Sequence, residues 1–129
     1  MSDPFIQKWH EAVKARDVDQ LKAMLKSDCR LISPISRKPV EGADQMAHIF
    51  QAILKVLPDI AYTASHSTGG NVFLTFQGHL DGGELLEGID VFQLDETGLA
   101  YELKVFVRPL AAAKAFAEEK EIVQGIGLE

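Results

Sequence analysis

Among 129 residues, the side chains best suited to ligate a transition metal or act as a soft nucleophile are four histidines and one cysteine, and their spacing argues against their working together. The histidines His10, His48, His66 and His79 never fall at metal-ligand spacing. Around a turn at Gly69-Gly70, His66 comes near Phe73 and His79 near Ile60, too far apart to share an ion. His48 lies off the apolar stripe of its helix, and each histidine reads as a surface or satisfied side chain. Cys29 stands alone, which excludes an intrachain disulfide or a multi-cysteine centre and points to a buried structural thiol. Asp28 is a turn or cap residue. Gly82-Gly83 form a hairpin turn and not a phosphate loop, because no helix start follows them. There is no nucleophile elbow or paired-cysteine motif, and neither a metal nor a cofactor is expected.

Asp90, inside the apolar run Gly88-Ile89-Asp90-Val91-Phe92, is the exception. An ionised carboxylate among hydrocarbons is costly, so it must find donors or keep its proton through a raised pKa. Protonated, it can donate to a carbonyl or a developing oxyanion; ionised, it can act as a base. A structural alternative has the carboxyl anchored by the Trp9 N–H or a backbone amide.

The elements that would position Asp90 follow from periodicity. Asp3 caps a first helix with Pro4 at its first position, and Phe5, Ile6, Trp9, Ala12 and Val13 recur at helical spacing. Asp17 and Gln20 resemble a capping box for a second helix, whose stripe of Val18, Leu21, Met24 and Leu25 runs to Ser27. Cys29 to Ile35 reads as a short edge strand, demoted by Pro34. Gly42 to Leu57 is a strong amphipathic helix closed by Pro58. Four strand-like runs follow, Ile60 to Ser67, Val72 to Leu80, Leu85 to Leu94 and Leu99 to Val107. Their turns are too short for crossover helices, so they form an antiparallel meander. A closing helix spans Leu110 to Val123. The whole chain, 1–129, is expected to be one α+β domain, a helical layer on a curved antiparallel sheet that encloses an apolar pocket.

On the third long strand, Leu86, Gly88, Asp90, Phe92 and Leu94 share one face and Leu85, Glu87, Ile89, Val91 and Gln93 the other. A four-residue loop at Asp95 to Gly98 pairs Leu94 with Leu99 and sets Asp90 opposite Leu103, with Tyr101 and Val105 as diagonal neighbours. Across Gly82-Gly83 two registers stay open, one with Phe73 and Thr75 beside Asp90, the other with Leu74 and Phe76. Both sheet faces carry apolar residues, with Phe106 on the outward parity of Ala100, Glu102 and Lys104. That favours a homodimer through the convex face over a bare surface with scattered apolar residues.

Composition limits the partners. Thirteen basic against nineteen acidic residues give a net charge of -6, with no basic cluster beyond Arg37 and Lys38, so nucleic acid is not expected. No apolar stretch approaches the roughly 20 residues that span a bilayer. Met1 to His10 lacks a signal pattern, and the expectation is a cytoplasmic protein without a membrane partner.

The element order, with Trp9, Ala15-Arg16-Asp17, Ser33-Pro34, Gly42, Gly88-Ile89-Asp90-Val91-Phe92 and Val107-Arg108-Pro109, resembles the nuclear transport factor 2-like superfamily. The pattern is closest to its SnoaL-like and ketosteroid-isomerase-like branches and runs from about Phe5 to Leu110. The resemblance implies a cone, a bent sheet wrapped on helices and open at one end to a hydrophobic pocket, commonly dimeric. It also implies that Asp90 matches the pocket acid of the ketosteroid isomerases, a carboxylic acid kept neutral by its apolar surroundings. Phe50 falls where those enzymes place a pocket aromatic, Trp9 at their oxyanion-binding tyrosine and Ser33 at their catalytic aspartate. A serine without a base partner cannot shuttle a proton at neutral pH, so their isomerisation mechanism is not implied here.

Two functions compete. One is an enzyme that isomerises, cyclises or hydrates an apolar carbonyl compound, with Asp90 as acid or base and Trp9, Ser33, Phe50, Phe92, Tyr101, Leu103 and Val105 around the ligand. The other is a non-catalytic dimeric binding or accessory module on the same scaffold.

Overall fold

Local chemistry sets the start of each helix. In a computed structural model that describes residues 3–126, α1 (Pro4–Lys14) begins where the Asp3 carboxylate accepts the Phe5 N–H at 2.8 Å, a capping bond for an otherwise unpaired donor. Its buried stripe is Phe5, Trp9, Ala12 and Val13. Asp17 caps α2 (Val18–Ala23) by accepting the Gln20 N–H at 3.1 Å. Between them Arg16 takes a left-handed φ of 55°, while Arg16 N–H and Asp17 N–H donate back to Val13 and Ala12 carbonyls, the Schellman pattern that glycine usually supplies. An arginine stands there because its guanidinium donates to the carbonyls of Leu54, at 2.9 Å, and Pro58. Arg16 thereby ties the turn between the first two helices to the end of α3 (Ala43–Val56).

Six strands, β1 (Leu25–Ile32), β2 (Val40–Glu41), β3 (Ala61–Thr68), β4 (Asn71–His79), β5 (Leu85–Leu94) and β6 (Ala100–Arg108), form one curved, unclosed sheet in the order β2-β1-β6-β5-β4-β3. The meander from β3 to β6 is antiparallel as expected. The first strand corrects the sequence reading twice. The second helix stops at Ala23 and not at Ser27, because Leu21, Met24 and Leu25 can be buried by either a helix or a strand, and Leu25 opens β1. Nor is this strand an edge: Pro34 lies beyond its end, so it pairs with β2 on one side and, in parallel, with β6 on the other. The expected closing helix is two helices, α4 (Leu110–Glu118) and α5 (Lys120–Ile126), parted at Glu119, whose backbone is extended.

The inner face of the sheet carries Val72, Leu74 and Phe76 of β4, Leu86, Asp90 and Phe92 of β5, and Leu103 of β6. Two registers differ from or complete the expectation. A bulge between β5 and β6 pairs Leu94 with Ala100 rather than Leu99, leaves Tyr101 unpaired, and sets Asp90 opposite Val105 rather than Leu103. An extra residue in one strand reverses the facing of its neighbours. Ala100 is therefore fully buried and Tyr101 turns outward, the reverse of the simple alternation. Across Gly82-Gly83, Asp90 pairs with Leu74 and has Phe76 on the same face.

Buried residues form two clusters. One joins α1, α3 and the sheet around Trp9, Phe50, Leu74 and Phe92. The other packs Ala112, Phe116 and Ile122 of the C-terminal helices on Leu57, Leu80 and Leu86. On the outer sheet face Phe106, Tyr101 and Leu85 are exposed at 52%, 44% and 39%. No helix among the described residues is long and apolar enough to cross a membrane.

Candidate functional site

Between the two clusters the fold leaves a cavity of about 80 Å³. Its wall is mainly apolar, with Phe50, Ile53 and Leu54 from α3, Phe76, Leu103 and Val105 from the sheet, and Phe116 from α4. The polar atoms that reach it come from Trp9, Ser33, Tyr62 and Asp90.

The pleat of β5 aims Asp90 inward between Leu74 and Val105, and the residue is 8% exposed. Gly88, one inward position away, has no side chain for a reason: a Cβ there would stand 2.4 Å from Phe76 Cζ and 2.6 Å from the Phe106 carbonyl oxygen. The Phe76 ring occupies that space. Burial pushes the Asp90 carboxyl up to about 7, against a hydrogen bond from Tyr62 that pulls it down. Tyr62 rises well above the usual phenol range, first through burial and then through the adjacent Asp90 charge, with the Trp9 hydrogen bond working the other way.

Trp9 Nε1–H donates to the Tyr62 hydroxyl oxygen at 2.8 Å, and the Tyr62 hydroxyl lies on the Asp90 side of the same cavity, where it works to lower the carboxyl pKa. Trp9 is held edge-on against Phe50 and Phe92, with centroids 5.6 and 4.7 Å away. Indole, phenol and carboxyl thus gather at one mainly apolar cavity. With its pKa near neutrality, Asp90 can offer a proton or accept one.

Six of the residues singled out from the sequence meet at this cavity: Trp9, Ser33, Phe50, Asp90, Leu103 and Val105. Phe92 does not. It is fully buried in the core against Phe5 and Trp9. Tyr101 is also misplaced, since the β6 bulge turns it outward, where its hydroxyl donates to Gln93 Oε1 at 2.6 Å. The Trp9 N–H is spent on Tyr62 and does not anchor Asp90. Ser33 accepts the Ile35 N–H at 3.1 Å in a tight turn.

Tyr62 is the residue that sequence reasoning passed over. It shares the parity of Ile60, but the Gly69-Gly70 hairpin continued without a break sets it opposite Gln77, and in the structure it pairs with Phe76. A bulge just after it, between Tyr62 and Ala64, obscured the alternation of β3. His79 instead forms an exposed pair with Asp59, Nδ1 to Oδ2 2.6 Å, and His66 stacks near Phe73. Among the described residues, no group of three His, Cys, Asp or Glu side chains could hold a metal.

Comparison with known proteins places this geometry. The family model for a SnoaL-like domain matches residues 6–103. A steroid delta-isomerase from Pseudomonas aeruginosa superposes with a TM-score of 0.85 at 30% identity, over 95% of this chain and 89% of that one. An uncharacterised protein with a cystatin-like fold from Silicibacter pomeroyi gives 0.86 at 25% identity, over 98% and 87%. A putative SnoaL-like polyketide cyclase from Jannaschia gives 0.70 at 18% identity, over 92% and 98%, a likeness of fold alone. No curated protein matches the chain.

Proposed function

The chain belongs to the SnoaL-like domain family, in the nuclear transport factor 2-like superfamily, and on that premise we propose that its cavity binds a neutral, apolar small molecule through one carbonyl group. The observation that carries this reading is the inward Asp90 carboxyl, buried in an apolar wall and lifted to about 7. Near neutrality the protonated acid donates to the carbonyl oxygen. The same group can then stabilise a developing oxyanion, the step common to isomerisation, cyclisation and hydration of such compounds. The likeness to a steroid delta-isomerase at 30% identity supports that class. Trp9, Ser33, Phe50, Leu103 and Val105 form the binding wall, with Asp90 as the catalytic group.

A second reading, a non-catalytic binding module, is favoured by Ser33. Its hydroxyl is occupied in a turn and has no base beside it, so the site lacks a second proton carrier. In both readings residues 1–129 act as one cytoplasmic domain, of which 1–2 and 127–129 lie outside the described residues. The exposed Phe106, Tyr101 and Leu85 support a homodimer through the outer sheet face; a monomeric mass by light scattering at micromolar concentration removes that part.

A thermal-shift screen of apolar ketones tests the binding. Hits are expected to raise Tm for the natural chain, and much less for Asp90→Asn, with both proteins equally folded by circular dichroism. Because the neutral acid is the donor, affinity falls as pH rises past about 7. Equal shifts in the Asn variant remove Asp90 from the site, and turnover of a hit separates the enzyme from the binding module.

A further inference from the structure

The cavity is smaller than a ring-sized ketone, so entry of such a ligand requires a wall to move. Its volume is about 80 Å³, whereas a dry apolar cavity that takes up benzene measures roughly 150 Å³. Most of the wall is fastened from several sides. Strands β4, β5 and β6 are each paired on both flanks. Arg16 holds the end of α3, and Trp9 wedges α1 against Phe50 and Phe92. The C-terminal helices are held by less. α4 has nine residues and α5 seven, lengths at which a helix is marginal by itself. No side chain caps the start of α4, and its last turn carries Glu118 and no basic residue, the unfavourable end for a negative charge. Among the described residues, Ala112, Phe116 and Ile122 are the buried side chains of this pair, and no ion pair joins either helix to the rest of the fold. The hydrogen bond from the Gln45 side-chain amide to the Gly125 carbonyl, at 2.9 Å, is exposed. Phe116 alone of the pair reaches the cavity, where it meets Leu57, Leu86 and Val107.

We propose that α4 and α5 form a hinged lid over the cavity and that Phe116, its plug, sets the size of ligand the closed site holds. This rests on the reading of the cavity as a binding site for a neutral carbonyl compound, and goes further by assigning its entrance and its size limit. The hinges are the two ends of α4, at Pro109 and at Glu119, whose extended backbone parts the two helices. Element ends of this kind absorb the backbone rotation of a closing segment. When α4 swings out, the space of the Phe116 ring joins the cavity; when it returns, the ring packs on the ligand and excludes water. Asp90 keeps its place throughout, because its cross-strand neighbours Leu74 and Val105 belong to the sheet.

Trp9 is the sole tryptophan and lines the cavity, so its fluorescence reports the entry of 1-tetralone in stopped flow. Ile49→Cys with Gly125→Cys supplies a lock between α3 and α5. A Cβ at Gly125 stands 3.5 Å from Ile49 Cγ1 and 3.8 Å from Ile49 Cα, within reach of a disulfide. Cys29 does not compete, since it is fully buried and burial pushes its thiol up to about 11. The oxidised protein is expected to take up tetralone about tenfold more slowly than the same protein reduced, a comparison in which the effect of replacing Ile49 cancels. Equal rates in the two redox forms overturn the lid and leave the cavity reading intact, with entry through another part of the wall. Should the cysteine pair fail to fold or to close, Phe116→Ala carries the test by titration calorimetry. The affinity ratio of 1-tetralone to cyclopentanone is expected to rise about tenfold, because the larger ketone gains the vacated space. An unchanged ratio with both ketones bound overturns the inference. Binding of neither ketone to any of these proteins overturns the cavity reading and the inference with it.

Discussion

Asp90 and Asp95 belong to one hairpin, yet their surroundings give them opposite acid strengths. Asp95 begins the turn after β5, where its carboxylate accepts the Thr97 hydroxyl at 2.6 Å, the Thr97 N–H at 2.9 Å and the Leu99 N–H at 3.1 Å. These bonds, led by Thr97, hold its pKa below the usual carboxylate range. Asp90 is buried among leucine, valine and phenylalanine, and that burial raises it to about 7 although Tyr62 works the other way. Burial for Asp90 and donors within reach for Asp95, and not the residue type or position along the chain, decide which aspartate is a brace and which is a reactive group.

The contrast has opposite signatures in pH. Unfolded, Asp90 releases its proton near 3.8, but folded only near 7. Between those values the unfolded state binds fewer protons, so the Asp90 contribution to stability declines as pH rises. Replacing it with an apolar side chain of similar size, Asp90→Leu, should remove this decline. Denaturant melts should show the variant gaining on the natural chain from about pH 4 to pH 8, by up to about 4 kcal/mol if the full shift is expressed. A constant difference across that range would mean the carboxyl is solvated in the folded state.

Gly88→Ala attacks the same contrast from its wall. The new methyl must displace the Phe76 ring or the β6 backbone, with a cost of about 1–3 kcal/mol. Water then reaches Asp90, and its pKa, followed by carboxyl-labelled NMR, should drop toward that of an ordinary carboxylate. Tolerance of the methyl with an unchanged Asp90 titration would show that Phe76 does not shield the acid. The smallest effect belongs to Asp95→Ala, which removes the turn bonds and should lower Tm by a few degrees. Because the pKa of Asp95 is lowered, its contribution is present above about pH 4 and lost as pH falls. The variant should therefore lose stability at neutral pH and differ less from the natural chain in acid.

Much of this was legible in the order of residues. The Asp90 parity, the four-strand meander and the amphipathic α3 follow from short-range periodicity, which survives in any context. Errors fell where one residue breaks a period. An unpaired Tyr101 reverses the facing of its neighbours, and a bulge beside Tyr62 hid the donor next to Asp90. Leu25 could serve a helix or a strand, and only its pairing with Ala100 across the sheet decides between them. The Ala15-Arg16-Asp17 motif gave no hint that Arg16 reaches the Leu54 and Pro58 carbonyls, because a long-range side-chain bond leaves no local pattern.

The parallel seam between β1 and β6 also orders events in time. As the chain emerges during synthesis, residues 25–32 must wait for 100–104 before one flank is covered. Until then a strand with one apolar face has an open side, the condition under which nascent chains associate wrongly. The charged side chains of Lys26, Asp28 and Arg30 along that strand fit this need, since charges on a waiting edge discourage a stranger from pairing first.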